Sequence, residues 1–537
     1  MRIKILLAAF LSFCCIASAN VPLMPIKDLR SGMRGIGKTV VSGDTIENFD
    51  VEVLGVMGNE TSGYNVFVHL SGPLIERTGG VAQGMSGSPV YIDGQLVGAV
   101  AFGKAFNDPH YCFLTPIGSM LELLDKPAAV ELPLGTSLQA GGFSERGLNY
   151  LKEKLGPEGL DVTLGGVGSG ESTSEIEPGS SISVALMHGD LSLAALGTVT
   201  WIDDEGDLLA MGHSFLQRGE SAFFMNRAWI VGCVPNLQTS YKVGVVGENI
   251  GTFTQDRASG VGGKIGRGPP SIPVFIRTSD FKRGVNNSCR VKIVDDEKLL
   301  STVLDAVVGN MVTKTMDTSG FGSGKLRFII NGVDENRESI TIDRENMYYS
   351  ADNVISIMNQ EMTEAVNILA KNKFEKVDIY DITVDAEVTE DVEVAEIQSV
   401  RTQKYAMAGE TVSIEVTMKP YRGETFKESV NFTIPKDFPG KKIALSVRGG
   451  SSITGVKNLL EQVKGEAQPQ SNEIGRSLRY FINSLNSADK NNDLIVDLAA
   501  PPKAQLGAAM QGNPYKKKTP YDYIIDGEAE VVLNIVK

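Results

Sequence analysis

From residue 20 to about residue 125 the chain is a succession of short β-prone runs cut by Gly, Ser and Asn, and this punctuation limits the fold more than any other feature. Thr39-Val40-Val41, Phe49 to Leu54 and Val66-Phe67-Val68 are rich in β-branched and aromatic residues and are bounded by turn formers. Val90-Tyr91-Ile92, then Asp93-Gly94, then Leu96 to Val100 predicts a hairpin. Asp-Gly tolerates the positive φ angles that a two-residue turn needs in order to match strand twist. A mainly β fold is expected.

The pattern changes along the chain. A short helix is expected over Ile117 to Leu124, stopped near Pro127, and the Gly-, Ser- and Glu-rich stretch 165–180 reads as a linker. A second β-rich block runs from Ile182 to about Ile342. Val354, Ile357, Met358, Met362, Val366 and Ala370 recur near helical spacing and predict a helix over Asn353 to Lys371. Val377 to Val447 alternates apolar and polar residues, as in Val412-Ser413-Ile414-Glu415-Val416, and suggests a small β-sandwich. The last stretch mixes expected helices at Val456–Val463 and Ser477–Leu485 with polar loops.

Charge and the N-terminus narrow the function. With 51 Lys+Arg against 65 Asp+Glu the net charge is −14. No basic excess is available to displace counterions from phosphates, so nucleic acid is not an expected partner. Arg2 and Lys4 precede the apolar run Ile5 to Ile16, and Ala17-Ser18-Ala19 follows, the pattern of an export signal over residues 1–19. The run is shorter than the ~20 residues of a membrane span. A retained anchor is the alternative. The expected location is outside the cytoplasmic membrane, periplasmic or extracellular. Beyond the signal, Cys112, Cys233 and Cys289 are odd in number and widely spaced, which gives neither a disulfide framework nor a zinc pattern.

Three short motifs carry possible chemistry. Gly32 to Thr39 matches the P-loop letters G-x-x-x-x-G-K-T, but Pro25 to Arg30 is a poor buried strand and Val40-Val41-Ser42-Gly43 reads as strand and turn, not helix. A glycine-rich β-turn is expected there, and no nucleotide. Asp489-Lys490-Asn491-Asn492-Asp493 alternates oxygen ligands like a calcium loop but has Leu494 where the glycine belongs, and reads as a polar loop. Gly84-Met85-Ser86-Gly87-Ser88-Pro89 is the informative segment. A serine hydroxyl needs a base to become nucleophilic and N–H donors for the oxyanion it creates. Glycines on either side allow a tight turn that exposes the hydroxyl and turns successive amides into one concavity. In the G-x-S-G-x-P pattern of double-barrel serine peptidases, Ser86 is the nucleophile and the amides of Gly84 and Ser86 are the oxyanion donors; a Gly/Ser turn feeding the next hairpin is the alternative. The chain offers four histidines as bases, His69, His110, His188 and His213.

Two stretches resemble the SpoIVB peptidase family of exported serine peptidases. The first runs from Ser42-Gly43-Asp44-Thr45 to Leu121 and contains Thr78-Gly79-Gly80-Val81-Ala82-Gln83-Gly84-Met85-Ser86-Gly87-Ser88-Pro89 and Asn107-Asp108-Pro109. The second contains Leu196-Gly197-Thr198-Val199-Thr200-Trp201 and Ala210-Met211-Gly212-His213 and extends through Ile250-Gly251 to Gly263. The resemblance implies Ser86 as nucleophile and His213 as general base, with no metal or organic cofactor and a protein or peptide substrate. The serine half comes first here, the reverse of the family's namesake, which a triad defined by geometry tolerates. Ser71 stands where the namesake has its acidic residue, so the orienter of the imidazole is lost, replaced or supplied elsewhere; Asp256 is the candidate substitute.

The expected architecture is a trypsin-like double β-barrel, its serine-bearing half at 20–130 and its histidine-bearing half at 131–342. A helix plus β-sandwich-like region at 343–450 and a mixed region at 451–537 follow, with a role in binding substrate, envelope components or a partner. The expected activity is that of a serine endopeptidase. The alternative is a catalytically weak or inactive envelope-binding protein on the same scaffold.

Overall fold

The structure is a computed structural model describing residues 21–61, 63–103, 108–125, 137–158, 160–168, 174–236, 239–318, 320–372, 374–436, 438, 440–450, 477–499 and 515–536. The expected export signal and the expected helix at 456–463 lie outside the described residues. The chain forms two compact units that interleave in sequence. One comprises residues 1–136, 168–184 and 195–268, the other residues 137–167, 185–194 and 269–537.

The first unit begins with a closed barrel. Its strands are β1 (Arg34–Val40), β2 (Ile46–Asn59), β3 (Gly63–Ser71), β5 (Pro89–Ile92), β6 (Gln95–Phe102) and β7 (Tyr111–Pro116), paired in the order β1-β2-β3-β7-β6-β5 and back to β1. Helix α1 (Pro73–Thr78) and the two-residue strand β4 (Ala82–Gln83) lie between β3 and β5. Closure removes the exposed edges that six short strands would otherwise present. The inward residues Val51, Val53, Val66, Val68, Leu70, Val90 and Leu114 form one core, with Met85 entering it from the loop before β5. The Asp93-Gly94 hairpin forms as expected, with φ of 49° and 76° at its two central residues. Of the P-loop letters, Gly32 lies in a turn at φ +84° and Arg34 to Thr39 lie on strand β1, so no strand–loop–helix forms there.

Most of a second run of strands falls in the same unit, in the order Ser181–Gly189, Gly219–Val234, Ser240–Arg257, Gly260–Ile265, Asp207–Ala210 and Ser192–Ile202, whose first and last members also pair; residues 185–189 and 192–194 of those two strands are counted with the other unit. This completes the double β-barrel character expected of the peptidase region. Helix α2 (Ile117–Asp125) follows β7, and its Ile117, Met120 and Leu123 pack with Leu96, Ala99 and Leu209, tying the two runs together.

In the second unit, Ser271–Asp280 pairs with Val285–Val294 and with Asp378–Thr389, which in turn pairs with Gly322–Val333. The 17-residue helix Leu300–Met316 packs on these strands. It lies inside the stretch read as β-rich, and the reason is physical. The helix is buried on nearly every side, which erases the amphipathic period, and its Val303, Val307, Val308 and Val312 favour strands by local propensity. The helix expected at Asn353–Lys371 forms as two pieces, Val354–Met358 and Gln360–Lys371, with Asn359 between them donating to Asp305 at 2.8 Å.

The expected sandwich exists with different members. Val394–Arg401, Thr411–Pro420, Phe426–Thr433 and Ile524–Asp526 form one sheet. Lys442–Gly449 joins Asp493–Leu498, Lys517–Pro520, Glu528–Val536 and Tyr405–Met407 in the other, over a shared core. Asp378–Thr389 belongs elsewhere, and strands from 493–536 replace it: alternation marks a half-buried strand without saying which sheet it enters. Asp489 of the calcium-like segment is held by Lys516 and Lys518, a polar loop as expected.

Candidate active site

The loop between β4 and β5 is shaped by two glycines in the left-handed region, Gly84 at φ +93° and Gly87 at φ +94°. At Gly87 the requirement is double, since a Cβ there would stand 2.0 Å from the Thr198 carbonyl oxygen and 2.5 Å from the Met211 nitrogen. Fully buried Met85 anchors the loop in the barrel core, and the Ser88 hydroxyl donates to the Met85 carbonyl at 2.6 Å. From outside, Thr198 donates its N–H to the Ser86 carbonyl at 2.8 Å, and the Thr200 hydroxyl donates to the Gly87 carbonyl at 2.8 Å. The Gly87 amide in turn donates to the Val100 carbonyl at 2.7 Å. Among the described residues the amides of Gly84 and Ser86 donate to no protein acceptor. They are left open for a ligand.

The second loop follows the strand Asp207–Ala210. Met211 and Gly212 both take positive φ, 68° and 66°, and the chain reverses there. For Met211 this is a strained conformation, held by the surrounding packing. The Thr115 hydroxyl donates to the Gly212 carbonyl at 2.5 Å. Phe215 is buried edge-on against Phe223, and the Asp256 carboxylate closes the loop from behind. Its two oxygens accept the amides of Phe215 at 2.6 Å, Leu216 at 2.8 Å and Arg218 at 3.0 Å. Burial pushes its carboxyl above the ordinary 3.8 while these amides pull it back.

These two loops meet. His213 Nε2 stands 2.9 Å from Ser86 Oγ, across 127 residues of chain. The far nitrogen, Nδ1, lies 2.8 Å from the carbonyl oxygen of Ser214. A carbonyl only accepts, so Nδ1 carries the proton and Nε2 presents its lone pair to the serine. The hydroxyl proton has a second acceptor, the Ala101 carbonyl at 3.3 Å. Burial lowers the pKa of His213 below its ordinary 6.5, against the opposing bond to Ser214. The imidazole is therefore neutral at pH 7, able to accept a proton.

Asp256, the candidate orienter, makes no hydrogen bond to the imidazole; its carboxylate holds the turn that follows the Ser214 carbonyl. A backbone carbonyl has no letter of its own, so no sequence signal could have named it. Ser71 ends β3 opposite Asp50. Of the other histidines, His69 and His110 stack on each other at 6.0 Å, and His110 Nδ1 bonds Asp108 at 2.8 Å. His188 belongs to the other unit, where it pairs across strands with Lys292, and burial lowers its pKa to about 4.

The site can pass a proton from a hydroxyl to a neutral imidazole beside two open amides. Compared with known proteins, the family model described as SpoIVB peptidase S55 matches residues 16–121, a span that holds Ser86 and its glycines and ends before His213. The chain matches no curated protein and no solved structure.

Proposed function

We propose that the protein is an exported serine endopeptidase acting through Ser86 and His213, a reading supported by the match of residues 16–121 to the family model described as SpoIVB peptidase S55. The observation that carries the reading is the 2.9 Å approach of Ser86 Oγ to His213 Nε2, with Nδ1 engaged on the opposite side. Ser86 Oγ attacks a peptide carbonyl as its proton passes to His213 Nε2, and the new oxyanion is received by the amides of Gly84 and Ser86. The imidazolium returns that proton to the leaving amine. Water, deprotonated by the same imidazole, then releases the acyl group and regenerates Ser86. Export rests on the N-terminal pattern of residues 1–19, and places the substrate in the periplasm or outside the cell.

One observation favours a second reading, a binding protein with little turnover. The imidazole is oriented by a neutral carbonyl and not by a carboxylate. The carbonyl fixes the tautomer but supplies no full charge to stabilise the imidazolium; replacing a triad aspartate by its amide, which also disturbs the tautomer, costs ~10⁴ in turnover in chymotrypsin-like enzymes.

A fluorophosphonate probe separates the two. Covalent labelling of the wild type, with none on Ser86→Ala and at least ~100-fold slower labelling of His213→Ala, is the result expected. An unlabelled wild type leaves the binding reading standing.

A further inference from the structure

Lys242 lies on the strand Ser240–Arg257 and is fully buried. Its Nζ donates to the Thr39 hydroxyl at 3.0 Å and reaches the Thr198 hydroxyl at 3.5 Å. Thr198 Oγ1 in turn donates to the Gly84 carbonyl at 3.0 Å. The methylenes of the same side chain lie beneath Gly84, where an added Cβ would stand 3.0 Å from Cδ and 3.2 Å from Cβ and Cγ. Thr198 also donates its own N–H to the Ser86 carbonyl. Thr198 thus holds the carbonyls of Gly84 and Ser86, the two residues whose amides stay open, and the stem of Lys242 lies against Gly84.

We infer that Lys242 is a positioning residue for the oxyanion site, holding Gly84 in place by its own stem and, through the Thr198 hydroxyl, by the Gly84 carbonyl. The inference rests on the proposed peptidase reading. The physical ground is that burying an ammonium costs several kcal/mol, so an apolar residue of similar volume at this position favours stability. A lysine here therefore has its justification in the loop and not in the core. Burial lowers its pKa to about 7. Cys233, opposite Lys242 on the paired strand, is the titratable neighbour that bears on it.

The test compares Lys242→Met, which keeps the stem and removes the amine, with Thr198→Val, which removes the relay hydroxyl and leaves the backbone donor. Rates of Ser86 acylation by an aryl ester and thermal melting are measured on the full chain. Each variant is expected to acylate ~10- to 100-fold more slowly with KM changed less than about threefold, the scale of a small misplacement in a catalytic loop. Lys242→Met is expected to melt no lower than wild type. The double variant is expected to be no slower than the slower single, because both act through one chain of contacts. Wild-type acylation in Thr198→Val overturns the inference even if Lys242→Met fails to fold. So does a double variant whose losses multiply. A wild type that never acylates overturns the peptidase reading, and the inference with it.

Discussion

The Ser86 loop is fixed by two glycines at positive φ, a methionine sunk in the barrel core and backbone hydrogen bonds on both sides, whereas the His213 loop, which also turns at positive φ, has three of its amides held by one buried carboxylate remote in sequence. The first arrangement tolerates almost no change of shape at Gly87. The second depends on the acceptor that Asp256 supplies. The nucleophile's loop is thus specified by local geometry, and the base's by a residue about forty positions away in sequence. This is why the serine segment reads clearly along the chain and the support of the histidine does not.

Gly87→Ala is the strongest way to break the contrast. Its Cβ overlaps the Thr198 carbonyl, so the loop must shift, and activity is expected to fall at least ~100-fold. Steady-state kinetics on a folded preparation checks this; near-wild-type activity would mean the loop is less tightly held than its contacts imply.

Asp256→Asn should act less severely and on both stability and rate. The amide loses the charge and turns an N–H toward backbone donors, so roughly 2–3 kcal/mol of stability is expected to be lost. Turnover should fall ~10-fold as the Ser214 carbonyl loses its position. Urea unfolding alongside kcat reads both. A variant as stable as wild type would remove Asp256 from the account of the histidine loop.

The smallest effect is in pH dependence. Because burial lowers the His213 pKa, the basic form persists to more acid conditions. Activity is present above that pKa and lost as pH falls through it. The acid limb of kcat/KM should therefore have its midpoint below 6.5. A midpoint above 6.5 would point to a carboxylate acting on the imidazole after all.

How much of this was legible in the chain follows from where each cause resides. The Asp93-Gly94 turn and the Gly84 to Pro89 segment are local: the residue types at those positions carry the φ angles they require. The Leu300–Met316 helix was hidden because it is surrounded, and a helix without a wet face has no period to read. Asp256 was visible as a carboxylate near the second motif, but its bonds run to main-chain amides that any residue would have offered. Lys242 sits among ordinary alternating strand residues. Only the packing of that strand beneath Gly84 shows what its side chain meets. In the chain the Ser86–His213 pairing is legible only through the resemblance of two separate stretches, since neither residue type nor spacing alone distinguishes His213 from the other three histidines.

The central claim, that Ser86 acylates with His213 as its base, is tested most directly by active-site titration with a slowly deacylating aryl ester. The expected result is a rapid burst approaching one equivalent of leaving group per chain, absent in Ser86→Ala and slowed by orders of magnitude in His213→Ala. No burst in the wild type, or a burst of the same size in Ser86→Ala, would contradict it.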